Sequence, residues 1–209
     1  MDSAGIIVLS IEETCKELGF AVPGRDRIRH VIGLGFDAAM AYILPDMDKN
    51  HYDTFVTHYR RQVHMHDKDL ALFAGALETI QTLNRIGYAL AVATGKSRAT
   101  FDKELVLSGL APFFSASRCA DETMSKPHPL MLLELMETLG FESTQALVIG
   151  DTTHDLQMAK NANVAAVAVT FGAHPREELM KHSPLACLDD FFVLRKWLVT
   201  HAPGSSSGH

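Results

Sequence analysis

Two carboxylates one helical turn apart, set at the end of an apolar run, are the strongest chemical signal in this chain. Leu147-Val148-Ile149 leads into Gly150, and Asp151, Thr152, Thr153, His154 and Asp155 come next. If the run is a strand and a helix succeeds it, Asp151 stands at the strand tip and Asp155 one turn later, so both can converge on one hard cation. Mg2+ suits such a pair, because it takes oxygen ligands and is usually held by one or two carboxylates plus phosphate and water. The plainer reading is that Asp151 or Thr152 only caps the helix, which accounts for one carboxylate and less readily for two.

Two weaker patterns stand at comparable places. Ala91-Val92-Ala93 ends in Thr94-Gly95-Lys96-Ser97; a hydroxyl at a strand end, followed by glycine and a helix start, can offer its side chain and nearby backbone N–H groups to an anion. Taken alone, Thr94-Gly95 is more often just a turn. In Ser125-Lys126-Pro127-His128-Pro129, Lys126 sits just ahead of a helix whose start the prolines fix, so its ammonium can be aimed at a phosphoryl oxygen. An isolated lysine is usually a surface residue. His128, between two prolines, reads as a loop residue rather than an acid or base.

The elements that must position these groups fall into two textures. From Ser3 to Gly95 the apolar spacing is helical until Tyr88, with Ser3 as a candidate cap for a helix that stops before Pro23-Gly24, and further helices over 26–32, 36–43 and 49–63. From Gly75 onward, amphipathic segments alternate with short apolar runs at 88–93, 114–119, 146–149 and 164–169, the pattern of parallel strands buried on both faces. Open parallel sheets bind ligands at the carboxyl ends of their strands, where all three patterns fall. Between the second and third of the patterns, Pro127 and Pro129 fit the first turn of a helix, Leu132, Leu135, Met136 and Leu139 make its apolar stripe, and Gly140 ends it.

Composition narrows the classes. The chain has 209 residues, 47% hydrophobic and 21% charged, and a net charge of -6 without a lysine or arginine cluster longer than Arg60-Arg61. That balance gives no electrostatic footprint for nucleic acid. No apolar stretch is long enough for a membrane span and no secretory signal pattern opens the chain, so a cytoplasmic address is expected. Cys15, Cys119 and Cys187 are widely spaced and read as free thiols. Residues 201–209, with Gly-Ser-Ser-Ser-Gly, read as a flexible tail.

Taken together and in order, Ala-Thr-Gly-Lys at 93–96, Ser-Lys-Pro-His-Pro at 125–129 and Ile-Gly-Asp-Thr-Thr-His-Asp at 149–155 resemble motifs II, III and IV of the haloacid dehalogenase superfamily. Leu72-Phe73-Ala74-Gly75 and Val169-Thr170-Phe171-Gly172-Ala173-His174 are similar to corresponding positions in bacterial phosphoglycolate-phosphatase-like members. The resemblance implies an α/β, Rossmann-like parallel core over 75–200 with an inserted helical cap over 1–74. Met1-Asp2-Ser3 is similar to the end of the stretch after motif I, so the Asp-x-Asp-Gly-Thr motif and its central strand are expected upstream of Met1, and Asp2 is not the nucleophile.

The same resemblance implies the chemistry: a Mg2+-dependent phosphatase acting on a small phosphorylated substrate of the phosphoglycolate kind through an aspartyl-phosphate. Asp151 would bind Mg2+, Asp155 would support or share that coordination, Thr94 and Gly95 would hold phosphoryl oxygens, and Lys126 would neutralise charge. A mutase or dehalogenase on the same fold is the alternative within the enzymes; a catalytically dead member that binds a phosphorylated ligand or a protein partner is the alternative outside them. Arg25, Arg27, Arg29 and Ile32-Gly33-Leu34-Gly35 lie where such caps contribute to specificity. Oligomeric state is left open. Without its central strand, the sheet should show the 88–93 and 146–149 strands about 9 to 10 Å apart, two strand spacings, with unpaired inner edges.

Overall fold

The computed structural model describes residues 1–66 and 70–201. The first of these segments contains helices joined by turns and no strand. Helix α1 spans Ala4–Leu18, α2 Arg25–His30, α3 Phe36–Ile43 and α4 Tyr52–Met65, the last preceded by a short 3-10 turn at Lys49–His51. Ser3 occupies the N-cap position of α1 but its side chain makes no capping hydrogen bond, and the helix stops at Gly19, whose φ of 76° is the left-handed C-cap conformation. The apolar spacing of these helices converges on one cluster, with Cys15, Ile28 and Phe55 fully buried among Val8, Ile11, Met40 and Ile43.

The remainder alternates helix and strand: α5 Ala76–Arg85, β1 Ala91–Thr94, α6 Arg98–Ser108, β2 Ala116–Cys119, α7 Leu130–Leu139, β3 Leu147–Gly150, α8 Thr153–Asn161, β4 Ala165–Val169, α9 Arg176–Met180, β5 Cys187–Leu188 and α10 Phe191–Thr200. All strand pairing is parallel. The strands are shorter than their apolar runs suggest. Tyr88 is drawn into the end of α5, where its N–H donates to Leu83 O, and the first ladder bond is Ser115 N–H to Leu90 O. Pro127 and Pro129 stand ahead of α7 instead of inside its first turn, while Gly140, at φ 73°, ends the helix where expected. The two-residue β5 carries too short an apolar pattern to be read from sequence. Of the tail expected at 201–209, His201 is instead held on α10, its ring stacked on Trp197 and its N–H donating to Trp197 O, and 202–209 lie outside the described residues.

Alternation along β4 builds the core. Val167 and Val169 point to Leu83 of α5 and to Leu194 and Leu198 of α10, whereas Ala168 between them packs with Leu156 of α8 and Leu179 of α9. Burial on both faces is what a run of small and β-branched apolar residues in a parallel strand provides. The five strands do not form one sheet, however. β1 pairs with β2, and β3, β4 and β5 pair in that order, with no ladder between β1 and β3 among the described residues. Residues 1–10 supply no strand; Asp2 N–H bonds to Ala71 O and α1 begins at Ala4. Leu147 and Ile149 of β3 remain 36% and 42% exposed, in contrast to the fully buried Val167 next door on β4.

The three cysteines test this packing. Cys15 and Cys119 are fully buried, and burial pushes both thiols up to about 11. Because the thiolate is the reactive form, neither should modify readily near neutral pH. Burial raises the half-buried Cys187 thiol as well, so thiol titration of the native protein should find Cys187 the most accessible of the three and Cys15 and Cys119 modified only after denaturation; three fast thiols in the native state would contradict the burial described.

Candidate active site

The site is assembled from the loops that leave β1, β2 and β3. At the end of β3, Thr152 takes the N-cap position of α8 with extended backbone. Its Oγ1 accepts the Asp155 N–H at 3.2 Å and donates to Asp155 Oδ2 at 2.7 Å, and its own N–H reaches the same carboxylate oxygen at 3.1 Å. This reciprocal capping box fixes both the start of the helix and the rotamer of Asp155. The remaining oxygen, Oδ1, accepts from Lys126 Nζ at 2.6 Å. The second carboxylate, which capping alone did not readily explain in the sequence, is thus held by a cap and a cation together.

This ion pair is buried, with Lys126 only 8% and Asp155 6% exposed. Burial works against the Asp155 charge, but the nearby Lys126 ammonium and the hydrogen bonds from Lys126 and Thr152 outweigh it and hold the carboxyl below the ordinary aspartate range. Asp151 behaves in the opposite way. It accepts the Ala173 N–H at 2.8 Å, and its backbone carbonyl accepts from His174 N–H at 3.1 Å. Burial first, and the neighbouring Asp155 charge second, raise its pKa. Gly172 allows this fit, since a Cβ there would come within 2.0 Å of Asp151 Oδ2.

At the end of β1 the Thr94 hydroxyl accepts the Lys96 N–H at 3.2 Å, so the side chain is folded back over its own loop. The Lys96 ammonium pairs with Glu104 of α6. The α-amino group of Met1 lies close enough to Lys96, Glu104 and Asp151 to feel their charges, with burial the main influence lowering its pKa. The β1 tip and the β3 tip therefore face a common space. The turn after α2 closes over that space: a Cβ on Gly95 would lie 2.8 Å from Gly33 O, and Gly33 and Gly35 pack on Thr152 and Ser125. Two surface depressions, lined by Glu13, Arg61 and Met65 and by Phe20, Ile43 and Met47, belong to the helical segment and not to this space.

The structure thus brings Lys126 and Asp155 into direct contact, sets Asp151 within range of the Lys126 charge, and puts Thr94 and Gly95 at the neighbouring tip under the same turn. His128 instead accepts the Leu130 N–H at the start of α7. Thr152, read from sequence as a candidate cap, is the cap of α8 and the partner of Asp155, while His154 and His174, given no role by sequence reading, touch the helical segment. For His174 the available signal was its place after the next parallel strand.

As a test for a metal, the donors are hard oxygens, and among the described residues Asp151 forms no ion pair within 4.0 Å. Nor, among those residues, is any group of three or more His, Cys, Asp or Glu side chains arranged to hold a metal ion. A cation needing only one or two carboxylates, with phosphate and water completing its shell, fits that donor set; a closed all-protein cage does not.

An α/β fold of parallel strands with these three strand-end patterns defines a hydrolase of the haloacid dehalogenase type. The sequence pattern of the haloacid dehalogenase-like hydrolases matches residues 1–169, and the chain belongs to that family. It is 34% identical over 197 residues to "Probable phosphatase IndB" of Dickeya dadantii, covering 91% of this chain and 85% of that one. It is 29% identical over 203 residues to the phosphoglycolate phosphatase of Agrobacterium fabrum, covering 93% and 85%. Among solved structures, a hydrolase from Pseudomonas syringae superposes with a TM-score of 0.86 at 19% identity, covering 97% of this chain and 94% of that one. That last likeness speaks for the fold alone. No helix among the described residues is long and apolar enough to cross a membrane.

Removing one partner of a buried pair leaves an uncompensated charge, which typically costs about 3–5 kcal/mol. Lys126→Met should therefore destabilise the protein by that order in denaturant unfolding, and adding Asp155→Asn should recover part of the loss. Equal stability of Lys126→Met and the parent chain would show that the pair is not buried in solution.

Proposed function

We propose that this chain carries the metal- and phosphate-binding groups of a Mg2+-dependent phosphatase that hydrolyses a small phosphate monoester of the phosphoglycolate kind. In this reading residues 1–74 are the cap, 75–200 the catalytic core, and the protein works in the cytoplasm. The observation that carries the reading is the buried Lys126–Asp155 pair beside Asp151, whose charge has no paired cation among the described residues, at strand tips covered by the 33–35 turn. The family relationship and the names of the relatives support phosphate ester hydrolysis.

Asp151 is the residue that would hold Mg2+, whose contribution is to neutralise charge on the transferring phosphoryl group. Asp155, with both oxygens already accepting hydrogen bonds, supports this arrangement indirectly by fixing Lys126. Lys126 sets a positive charge at the phosphate position. Thr94 turns its hydroxyl from the Lys96 N–H to a phosphoryl oxygen, with the Gly95 backbone beside it. The nucleophilic aspartate, which forms an aspartyl-phosphate, and a second aspartate, which protonates the leaving alkoxide, belong to a strand lying between β1 and β3 and outside residues 1–209. The unladdered β1 and β3 and the exposed Leu147 and Ile149 support such a strand.

A non-catalytic reading, binding of a phosphorylated ligand without turnover, draws on the other aspartates at strand ends. Asp121 accepts the Arg98 N–H and Asp189 pairs with Arg176, so each already has a structural partner away from Lys126 and Asp151. One experiment separates the readings: Mg2+-dependent phosphate release from an aryl phosphate, measured for residues 1–209 and for the same chain preceded by an Asp-x-Asp-Gly-Thr strand. The shorter chain should show no appreciable turnover and the longer one should. In the longer chain Thr94→Val should lower turnover by on the order of 100-fold to 1,000-fold, the range for losing one donor that stabilises transition-state charge. Full activity of residues 1–209 would refute the external nucleophile, and an inactive longer chain would favour binding without turnover.

A further inference from the structure

Three histidine rings meet where the helical segment touches the strand tips, and the hydrolase chemistry described above uses none of them. His30 ends α2, His154 lies in the first turn of α8, and His174 comes after β4. The His30 and His174 rings stack with centroids 5.7 Å apart and planes 5° from parallel, while His154 meets them edge-on at 5.5 and 5.3 Å. The polar contacts are as specific as the ring contacts. His154 Nε2 lies 2.7 Å from His30 O, and His174 Nε2 lies 3.2 Å from Arg29 O.

The other ring nitrogen of His174 fixes its tautomer. Thr153 N–H donates to His174 Nδ1 at 3.0 Å, so Nδ1 must be the acceptor and Nε2 must carry the hydrogen in the neutral ring. That hydrogen points to the Arg29 carbonyl. His174 is also 4% exposed, so its ring stays in place through packing and not only through the hydrogen bond. Two core side chains thus grip consecutive carbonyls at the C-terminal end of α2, where a helix leaves carbonyls available to outside donors.

The segment just beyond those carbonyls gives the grip a consequence. Three residues past His30 the chain reaches Gly33-Leu34-Gly35, the turn seated over the strand tips. A Cβ on Gly35 would come within 2.3 Å of Ser125 Oγ, and one on Gly33 within 3.2 Å of Thr152 Oγ1. The turn therefore touches the loops of all three strand-end patterns with almost no slack. Any molecule entering between Thr94, Lys126 and Asp151 must move it.

We propose that His154 and His174 are positioning residues for the cap: by holding the carbonyls of His30 and Arg29 they seat the 33–35 turn over the site, and admitting substrate requires both hydrogen bonds to release. The latch deepens the phosphatase reading and rests on it for its purpose. Its geometry does not depend on turnover. Lid closure of this kind shields phosphoryl transfer from water, and the release step is a natural place for the rate to be limited.

The test is amide hydrogen exchange on residues 1–209, which needs no activity. In His154→Ala/His174→Ala the hydrogen-bonded amides of Ile32 and Leu34 should exchange at least about ten-fold faster, while those of β4 and of the α1–α4 cluster keep their rates, because local opening reports local contacts. A His154→Gln/His174→Gln variant retains an N–H near each Nε2 position and should restore slow exchange at Ile32 and Leu34. Unchanged exchange there in the alanine variant would overturn the latch. Uniform acceleration across the chain with no rescue by glutamine would overturn it as well, by reducing both histidines to general packing. Failure of the phosphatase assay leaves these outcomes untouched, so the two ideas fail separately.

Discussion

The buried contact between Lys126 and Asp155 is the interaction on which the rest of this arrangement depends. Lys126 belongs to the β1–β2 half of the core and Asp155 to the β3–β4–β5 half, and no strand ladder joins the halves among the described residues. Two charges removed from water are favourable only when geometry is close and the spare hydrogen-bonding capacity is filled. Here Thr152 fills both sites of Asp155 Oδ2 and so makes the pair tenable. Asn161 adds a second tie across the same boundary by donating to Pro127 O at 2.9 Å. The side chains proposed to serve phosphate chemistry thus also tie the two ladders together.

That double role accounts for the different treatment of the two aspartates. Asp155 is saturated with donors and stays charged, so it can anchor. Asp151 is held by one backbone N–H and raised in pKa by burial and by its neighbour, so its charged form is the less favoured of the two. Environments that push two nearby carboxyls in opposite directions are the usual physical signature of divided labour in a site. The helical segment meets this division through the 33–35 turn, which packs on Gly95, Ser125 and Thr152.

The exposed face of β3 belongs to the same picture. Leu147 and Ile149 are residues for a strand covered on both sides, yet they remain partly in contact with water while the adjoining β4 is packed. An apolar strand with an open edge is a liability in solution and a natural seat for another strand. The strand proposed to carry the nucleophile would sit there, between β3 and the unladdered β1.

Much of this was legible in the residues themselves. The 3.6-residue spacing before Gly75 and the short valine- and alanine-rich runs after it determined a helical segment followed by parallel strands, because period and burial are written locally. The order Thr94, Lys126, Asp151, Asp155 was legible for the same reason, since each group sits at the end of a recognisable run. Strand length was not: Tyr88 spends its N–H on Leu83 O at the end of α5 instead of pairing with a neighbouring strand. Nor could the sequence say that Asp155 would spend its oxygens on Thr152 and Lys126, or that His154 and His174 would reach carbonyls 124 and 145 positions earlier in the chain. Those contacts join residues with no local relation, and only the packing of the helical segment on the strand tips brings them within hydrogen-bonding distance.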